Sequence, residues 1–163
     1  MTHIHTPDHQ RSAKAMPRPR PGTILVDDPR ATRPERALRR AMLKAGYGGL
    51  RCEAADLAGT PDVVSDAEKV VAFAHGCLWH GHEGCALGRD VRQWRAKVIE
   101  NRARDRRVVG ELRRAGWRVA VVWECATRHL SRDDLARKLA SARLLPAGGI
   151  VEFRSLRHWT SAP

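Results

Sequence analysis

The chain has 163 residues, and 42% of them are hydrophobic, which is enough for one domain with a buried core. Its 30 Lys and Arg residues outnumber 18 Asp and Glu residues, so the formal net charge is +12 at pH 7. No stretch approaches the ~18 consecutive apolar residues of a membrane span, and the amino terminus lacks the apolar core of a secretory signal. These features argue against a membrane protein and a typical secreted domain, and they favour a polyanionic partner, with nucleic acid first.

The positive charge is concentrated in one part of the chain. Residues 34–88 carry six Lys or Arg against seven Asp or Glu, whereas residues 89–118 carry eleven against four. A nuclease needs such a division, because carboxylates hold a metal ion while arginines neutralise the phosphates around it. The charge pattern therefore favours nucleic acid as the partner and is what a nuclease would need.

The first half of the chain predicts an arm, a helix and several strands. Residues 1–31 are rich in His, Pro and Arg without periodicity, and we expect a mobile basic arm there. A helix is predicted from Thr32 to Gly46, with Pro34 suited to its first turn and Gly46 to its end. Residues 50–57 predict a weak strand, 62–65 a short extended segment, and 69–74 a buried strand.

The second half alternates helix and strand. A long helix is predicted over residues 89–115, a clear strand over 117–123, and a shorter helix over 131–143 with Ser131 as its N-cap. The order of elements favours a small α/β sandwich. We divide the chain into the arm, a central domain at 32–128 and a carboxyl-terminal extension at 129–163.

Two polar residues interrupt the apolar stripe of the long helix. Val98, Val108 and Leu112 keep alternating steps of three and four residues only if Asn101 and Asp105 are included. Because a buried carboxylate without a partner is costly, both polar side chains must bond to another group or face a functional cavity.

Cysteine and histidine crowd together between residues 75 and 85. Cys77, His82 and Cys85 have spacings that allow two thiolates and an imidazole to close around one tetrahedral zinc ion. Cys125, directly after the clear strand, is the favoured fourth ligand, and Cys52 is the alternative. A disulfide is the other interpretation of the cluster, but the absence of an export signal favours structural zinc.

Four segments resemble one known family. They are GTPDVV at 59–64, VVAFAHGCLWHGHEGC at 70–85, WRAKVIENRARDRR at 94–107 and GWRVAVVWEC at 116–125. These segments closely resemble the very short patch repair endonucleases, bacterial enzymes that nick DNA at T:G mismatches left by deamination of 5-methylcytosine. The resemblance covers roughly residues 32–128, which it identifies as an endonuclease domain.

This resemblance implies a fold and two metal sites. The fold would be α/β and similar to that of restriction endonucleases, the PD-(D/E)xK type, with a central mixed sheet flanked by helices. Asp62 corresponds to the family's magnesium-binding aspartate, and the backbone carbonyl of Ala74 to its second magnesium ligand. The structural zinc ligands correspond to Cys77, His82, Cys85 and Cys125.

The resemblance also implies catalytic and DNA-contacting residues. His80 corresponds to the catalytic histidine, and His75, Glu35 and Asp105 match further active-site positions. Glu35 has a second interpretation, because Thr32-x-x-Glu35 is also a capping box. The family inserts aromatic side chains into the duplex as wedges. The corresponding residues are Leu78, Trp79 and Trp94, and a role in the helix core is the alternative for Trp94.

The chain departs from the family at two places. Leu78 stands where the family usually has Phe, and Leu lacks a ring that stacks on a base. The segment TILVDDPRATRPE at 23–35 replaces the family's usual DNA-binding arm. Both departures bear on sequence and mismatch specificity more than on the chemistry of cleavage.

The sequence thus predicts a cytoplasmic, Mg²⁺-dependent endonuclease with structural Zn²⁺ that nicks one strand of double-stranded DNA at a T:G mismatch. We expect a monomer with no membrane association, and mismatch-repair proteins as candidate partners. One alternative is a restriction or defence nuclease on the same scaffold with another specificity. The other is a zinc-stabilised DNA-binding protein without catalysis.

Overall fold

A computed structural model describes residues 26–88 and 93–155 of the chain. Most of the predicted arm, the predicted helix start at residues 89–92, and residues 156–163 lie outside these ranges. The elements in chain order are α1 (Arg33–Lys44), β1 (Leu50–Cys52), β2 (Val63–Ser65), β3 (Val70–His75), α2 (Arg95–Arg114), β4 (Arg118–Trp123), α3 (Glu124–His129), α4 (Arg132–Ala140) and β5 (Ile150–Phe153). Short 3₁₀ turns lie at Ala86–Gly88 and Ser141–Leu144.

The five strands form one mixed sheet in the order β1-β2-β3-β4-β5. The pairs β1–β2 and β2–β3 are antiparallel, whereas β3–β4 and β4–β5 are parallel. The predicted mixed α/β architecture is confirmed. Because β3 and β4 are parallel and in register, with His75 beside Trp123, the segments that follow both strands begin at the same edge of the sheet. Both candidate sites lie at this edge.

Helices cover both faces of the sheet. Alternate residues of a strand point to opposite faces, so Val70 and Ala72 of β3 pack beneath α1 and α4, whereas Val71 and Phe73 face α2. A strand covered on both sides reads as a continuous apolar run, which is the pattern that the sequence shows at residues 70–74.

Helix α1 begins as the sequence predicts. Thr32 is the N-cap, its side chain accepts a hydrogen bond from the Glu35 N–H at 3.4 Å, and Glu35 Oε2 accepts from the Thr32 N–H at 3.0 Å. This reciprocal pair is a capping box. The apolar residues predicted to face the core include Leu38, Ala41 and Met42, and all three are fully buried.

Two elements were not predicted. Helix α3 directly follows β4 and carries Cys125 in its first turn, and β5 adds a fifth strand beside β4. The weak strand expected at residues 50–57 is shorter and spans only Leu50–Cys52. The last predicted helix forms at 132–140, with Ser131 as its N-cap, and continues as a 3₁₀ turn.

The segment after residue 128 packs into the same core. Leu135 and Leu139 of α4 are buried against α1, and the Tyr47 hydroxyl donates to the Leu139 carbonyl at 2.8 Å. The Arg143 guanidinium lies 3.8 Å from the centre of the Tyr47 ring. None of the helices in the described ranges combines the length and apolar character that crossing a membrane requires.

Candidate active site and metal centre

A cleft at this edge of the sheet contains the carboxylate of Asp62. Asp62 is the residue that directly precedes β2. Because β2 runs antiparallel to β3 with Val63 opposite Ala72, Asp62 lies beside the end of β3. The Ala74 N–H donates a hydrogen bond to Asp62 Oδ2 at 2.7 Å, so the sheet itself fixes the carboxylate. The two residues that the sequence assigned to one magnesium site are therefore neighbours.

The Asp62 carboxyl group has a pKa of about 6, raised from 3.8. Burial is the main cause, the hydrogen bond from Ala74 opposes it, and the negative charge of Glu35 raises the pKa further. A buried carboxylate beside a second carboxylate is costly without a nearby cation, and carboxylate and carbonyl oxygens are the ligands that Mg²⁺ prefers. The oxygen donors in this part of the cleft thus suit a divalent cation.

Two histidines and a second aspartate lie next to Asp62. His75 ends β3, and His80 lies in the loop that follows, where the two imidazole rings stack with their centres 3.9 Å apart and their planes 9° apart. Asp105 of α2 lies across the cleft, with Oδ2 at 2.5 Å from Nδ1 of His80. One ligand atom from each of these three residues lies within 4.8 Å of the others.

The protonation of this cluster follows from burial and charge. Burial, together with a smaller effect of the neighbouring His80, lowers the pKa of His75 to about 3, so His75 is neutral at physiological pH. Burial alone would raise the pKa of Asp105, but the hydrogen bond and charge of His80 outweigh it and the net pKa is lowered. An ionised carboxylate thus bonds to one nitrogen of His80 and leaves the other nitrogen available.

These side chains line one cavity of about 230 Å³. Its walls include Glu35, Asp62, His75, His80 and Asp105, the five residues that the sequence proposed as catalytic. Glu35 caps α1 and lines this cavity, so the two interpretations of that residue are compatible. Arg104 also lines the cavity, and its side chain was not singled out from the sequence. Its position in the basic stretch immediately before Asp105 was the available signal.

The polar residues on the α2 stripe both have partners, as predicted. The Asn101 side-chain amide is buried and donates to the Trp79 carbonyl at 2.8 Å, which ties the loop after β3 to α2. Asp105 bonds to His80. The apolar residues of the stripe, Val98 and Leu112, are therefore buried, while its polar residues fix the loop that carries the histidines.

Beside the cleft lies a second, closed cluster that can hold a metal ion. It consists of Cys77, His82, Cys85 and Cys125, all buried, with one ligand atom from each residue within 4.8 Å of the others. Nδ1 of His82 lies 3.4 Å from the sulfur of Cys77 and 3.5 Å from that of Cys125. Ligands of a tetrahedral ion at ~2.0–2.3 Å lie at similar separations from each other, so the four residues fit such an ion.

The parallel pairing of β3 and β4 explains why Cys125 completes this cluster. The loop after β3 and the first turn of α3 meet at one edge of the sheet, and the Cys125 N–H donates to the Cys77 sulfur at 3.4 Å. The hydrogen bond between the two thiols lowers the pKa of Cys125 and raises the pKa of Cys77, so one thiolate of the pair forms more readily than the other. Cys52, the alternative ligand, lies in β1 and packs against the apolar core instead.

Two tryptophans form an exposed pair next to the cleft. Trp79 and Trp94 are 46% and 41% exposed, and their rings meet edge to face with centres 5.2 Å apart. Trp94 therefore does not join the core, which was the alternative interpretation for that residue. Leu78, the third predicted DNA contact, is only partly buried. This exposed aromatic pair is therefore a candidate contact surface for a partner.

Trp123 lies between the two clusters, and the sequence indicated it only as part of a strand. Its ring stacks on His82 at 4.4 Å and meets His75 edge to face at 5.4 Å. The available signal was its position next to Glu124 and Cys125, at the end of the strand.

The chain is similar to known DNA endonucleases and nicking enzymes. The family model described as DNA mismatch endonuclease Vsr matches residues 14–86. A type II nicking enzyme of Xanthomonas oryzae pv. oryzae is 47% identical over 98 residues, which are 58% of this chain and 71% of that protein. The DNA mismatch endonuclease Vsr of Escherichia coli K12 is 40% identical over 111 residues, which are 65% of this chain and 69% of that enzyme. A type II nicking enzyme of Neisseria meningitidis is 34% identical over 112 residues, which are 65% of this chain and 79% of that protein.

The mixed sheet, the cleft and these similarities define an enzyme that cleaves DNA, a DNA endonuclease. More narrowly, the chain belongs to the Vsr family of endonucleases. The resemblance inferred from four sequence segments is thereby confirmed, and the interpretation as a DNA-binding protein without catalysis is wrong.

Proposed function

We propose that this endonuclease nicks one strand of duplex DNA at T:G mismatches in a reaction that requires Mg²⁺. The observation that carries the proposal is the meeting of Glu35, Asp62, His75, His80 and Asp105 around one cavity. These residues come from four separate parts of the sequence, and an exposed tryptophan pair lies beside them. The mixed sheet that brings them together supports a restriction-endonuclease-like fold of the PD-(D/E)xK type.

Asp62 and the Ala74 carbonyl would hold the magnesium ion, and Glu35 would bind the water molecules around it. Bound Mg²⁺ polarises the scissile phosphate and stabilises the negative charge that develops on it. The protein contributes a carboxylate that is fixed before the ion arrives, because Asp62 is bonded to the β3 backbone. Glu35 is held by the capping box through Oε2, so its position is also fixed by backbone geometry.

His80 would accept the proton of the attacking water. Asp105 bonds to Nδ1 of His80, which directs Nε2 toward the reacting groups and stabilises the imidazolium that forms. His75 remains neutral in its buried position and supports the His80 ring by stacking. Arg104, in the wall of the same cavity, is suited to bind a phosphate oxygen.

The buried Cys₃His cluster would hold one structural zinc ion. Three thiolates and one imidazole complete a tetrahedron and leave no open position for substrate. The ion would join the loop after β3 to the start of α3 and so fix the position of His80. We propose zinc because a closed set of soft sulfur and nitrogen ligands suits it best.

Trp79 and Trp94, with Leu78, would act as wedges in the duplex. Apolar side chains that enter between base pairs unstack them, and unstacking costs least where the pairing is already imperfect. Arginines on the exposed surface of α2 would neutralise flanking phosphates, since eleven Lys and Arg residues lie between positions 89 and 118. The wedges would favour a mismatched duplex, whereas the basic helix would add affinity for any duplex.

The remaining expectations concern the setting of the enzyme. We propose a cytoplasmic monomer, with mismatch-repair proteins as candidate partners. All proposed catalytic and metal-binding residues lie within 32–128, the predicted endonuclease domain. The alternative function is nicking of paired DNA in a restriction or defence role, and it is favoured by one observation: Leu78 replaces an aromatic wedge.

A strand-resolved cleavage assay tests the proposal. Duplexes with a T:G mismatch, and their T:A and C:G counterparts, are incubated with the full chain and Mg²⁺ in several flanking contexts. We expect cleavage of the T-containing strand of the mismatched duplex alone. Equal cleavage of the paired duplexes would support the restriction-like alternative and contradict mismatch specificity. Cleavage without any divalent cation would contradict the magnesium site.

A further inference from the structure

The indole ring of Trp123 contacts both clusters at once. On one side it stacks on His82 with ring centres 4.4 Å apart and planes 21° apart, and on another it meets the edge of His75 at 5.4 Å. His75 in turn stacks on His80. One ring thus lies between a candidate metal ligand and the histidine pair of the cleft.

His82 depends on this ring for its orientation. A metal-binding histidine usually donates its second N–H to a carboxylate or carbonyl, which fixes the plane of the ring. In His82, Nδ1 faces the cysteine sulfurs, and Nε2 is buried without a hydrogen-bond partner among the described residues. Stacking on Trp123 therefore replaces the usual hydrogen bond as the contact that sets the ring plane.

Trp123 is packed in the core, and the hydrogen-bond partner of its indole N–H is Glu152 of β5. Glu152 pairs with Val121 of β4, so its side chain lies on the same face of the sheet as Trp123, two residues further along β4. The Trp123 Nε1–H donates to Glu152 Oε2 at 3.1 Å, and Arg154 also donates to Oε2 at 2.9 Å. A hydrogen bond to a charged acceptor is among the stronger ones in proteins.

We propose that Glu152 is a positioning residue, which holds the Trp123 ring so that this ring orients His75 in the cleft and His82 in the metal cluster. The carboxyl-terminal extension, outside the segments that resemble the family, thereby takes part in forming the active site. This inference rests on the proposed role of the cleft in cleavage.

Three variants test the proposal in the full chain. Glu152→Ala removes the acceptor, Glu152→Gln keeps an acceptor oxygen, and Trp123→Phe keeps a ring but removes the N–H. We expect Glu152→Ala to lower kcat roughly tenfold, as for one lost hydrogen bond to a charged group, with KM for DNA nearly unchanged. Glu152→Gln should keep most of the wild-type kcat. The effects of Glu152→Ala and Trp123→Phe should not add in the double variant, because both remove the same bond.

Arg154→Ala is the matched control, since it removes the other partner of Glu152 and leaves the Trp123 bond in place. It should leave kcat unchanged. Additive effects of the two single variants, or a Glu152→Gln variant as impaired as Glu152→Ala, would overturn the proposal.

A second readout does not depend on cleavage. Hydrogen exchange of the Trp123 Nε1–H and the ring signals of His75 and His82 are followed by NMR in the same variants. We expect faster exchange and shifted histidine signals in Glu152→Ala, with Arg154→Ala unchanged. Histidine signals that do not respond to Glu152→Ala would overturn the positioning role. If wild type cleaves none of the duplexes, the proposed function fails, and the NMR result still decides whether Glu152 fixes the rings.

Discussion

The cleft and the cysteine cluster lie at the same edge of the sheet and share one loop, yet they differ in every property that governs reactivity. The cleft is open and combines carboxylates, imidazoles and an arginine around a cavity of about 230 Å³. The cluster is closed, and its four side chains are buried and directed at each other. Under the proposed function, the cluster would fix the loop after β3 on one side so that His80 can react on the other.

The largest expected effect comes from removing the carboxylate of Asp62 from the cleft. Asp62→Asn should lower the rate of nicking by roughly a thousandfold or more, because a metal ligand supplies several kcal/mol of transition-state stabilisation. Its effect is measured as the single-turnover rate with Mg²⁺. Bound zinc should be unchanged.

Asp66→Asn is the control for that variant, because Asp66 carries the same charge in an exposed ion pair with Arg51. It should keep the wild-type rate. Near wild-type nicking by Asp62→Asn would show that the metal site lies elsewhere.

Damage to the closed cluster should have the opposite signature. Cys125→Ser should lower the zinc content and destabilise the fold by roughly 3 kcal/mol or more, since the proposed ion would hold the loop to α3. The readouts are metal stoichiometry and the thermal midpoint. Cys52→Ser, at a cysteine outside the cluster, should retain zinc. Full zinc content in Cys125→Ser would contradict the ligand set.

A smaller change inside the cleft tests the orientation of His80. Asp105→Asn keeps the shape of the side chain but removes the charge that bonds to Nδ1. We expect kcat to fall about 10- to 100-fold with little change in DNA affinity. Glu100→Gln removes an exposed carboxylate from the same helix and should have no effect. An equal loss in both variants would indicate a general effect of charge on α2 rather than a role in the cleft.

The smallest expected effect concerns stability rather than rate. Folding raises the pKa of Asp62 from 3.8 to about 6, so between these values the folded state binds more protons than the unfolded state. The free energy of unfolding due to this group therefore falls as pH rises from about 4 to about 6. Without added magnesium, Asp62→Asn should be more stable than wild type by about 1–3 kcal/mol at pH 8.

That gain should shrink as pH falls toward 4. His75 acts in the opposite direction. Burial lowers its pKa to about 3, so as pH falls the unfolded state binds a proton before the folded state does, and the free energy of unfolding due to His75 decreases. The difference between the two proteins isolates Asp62, since His75 is present in both. Denaturant unfolding at several pH values measures it. A gain that does not depend on pH would contradict the raised pKa.

The sequence predicted the fold best where the pattern was local and strong. The capping box at Thr32, the continuous apolar run of β3 and the polar breaks at Asn101 and Asp105 all have the structural meaning expected of them. Each depends on neighbouring residues within one element or on the cost of burying a charge. These signals do not require knowledge of the tertiary fold.

The elements that escaped prediction depend on tertiary pairing. Strand β5 is short, and only its position beside β4 makes it a strand. Helix α3 has six residues, too few for a periodic pattern. The place of Trp123 between His82 and His75 follows from the parallel register of β3 and β4, which local sequence does not encode. Its contacts could therefore be found only from the structure.

The most direct test of the separation between the two sites uses one sample and two measurements. Wild-type protein is treated with a mild chelator, and bound zinc and nicking of a T:G duplex are then measured before and after Mg²⁺ is added. We predict one zinc ion retained per chain, no nicking without Mg²⁺, and full nicking on its addition. Nicking that follows the zinc content and does not depend on added Mg²⁺ would contradict the division between a reactive cleft and a structural cluster.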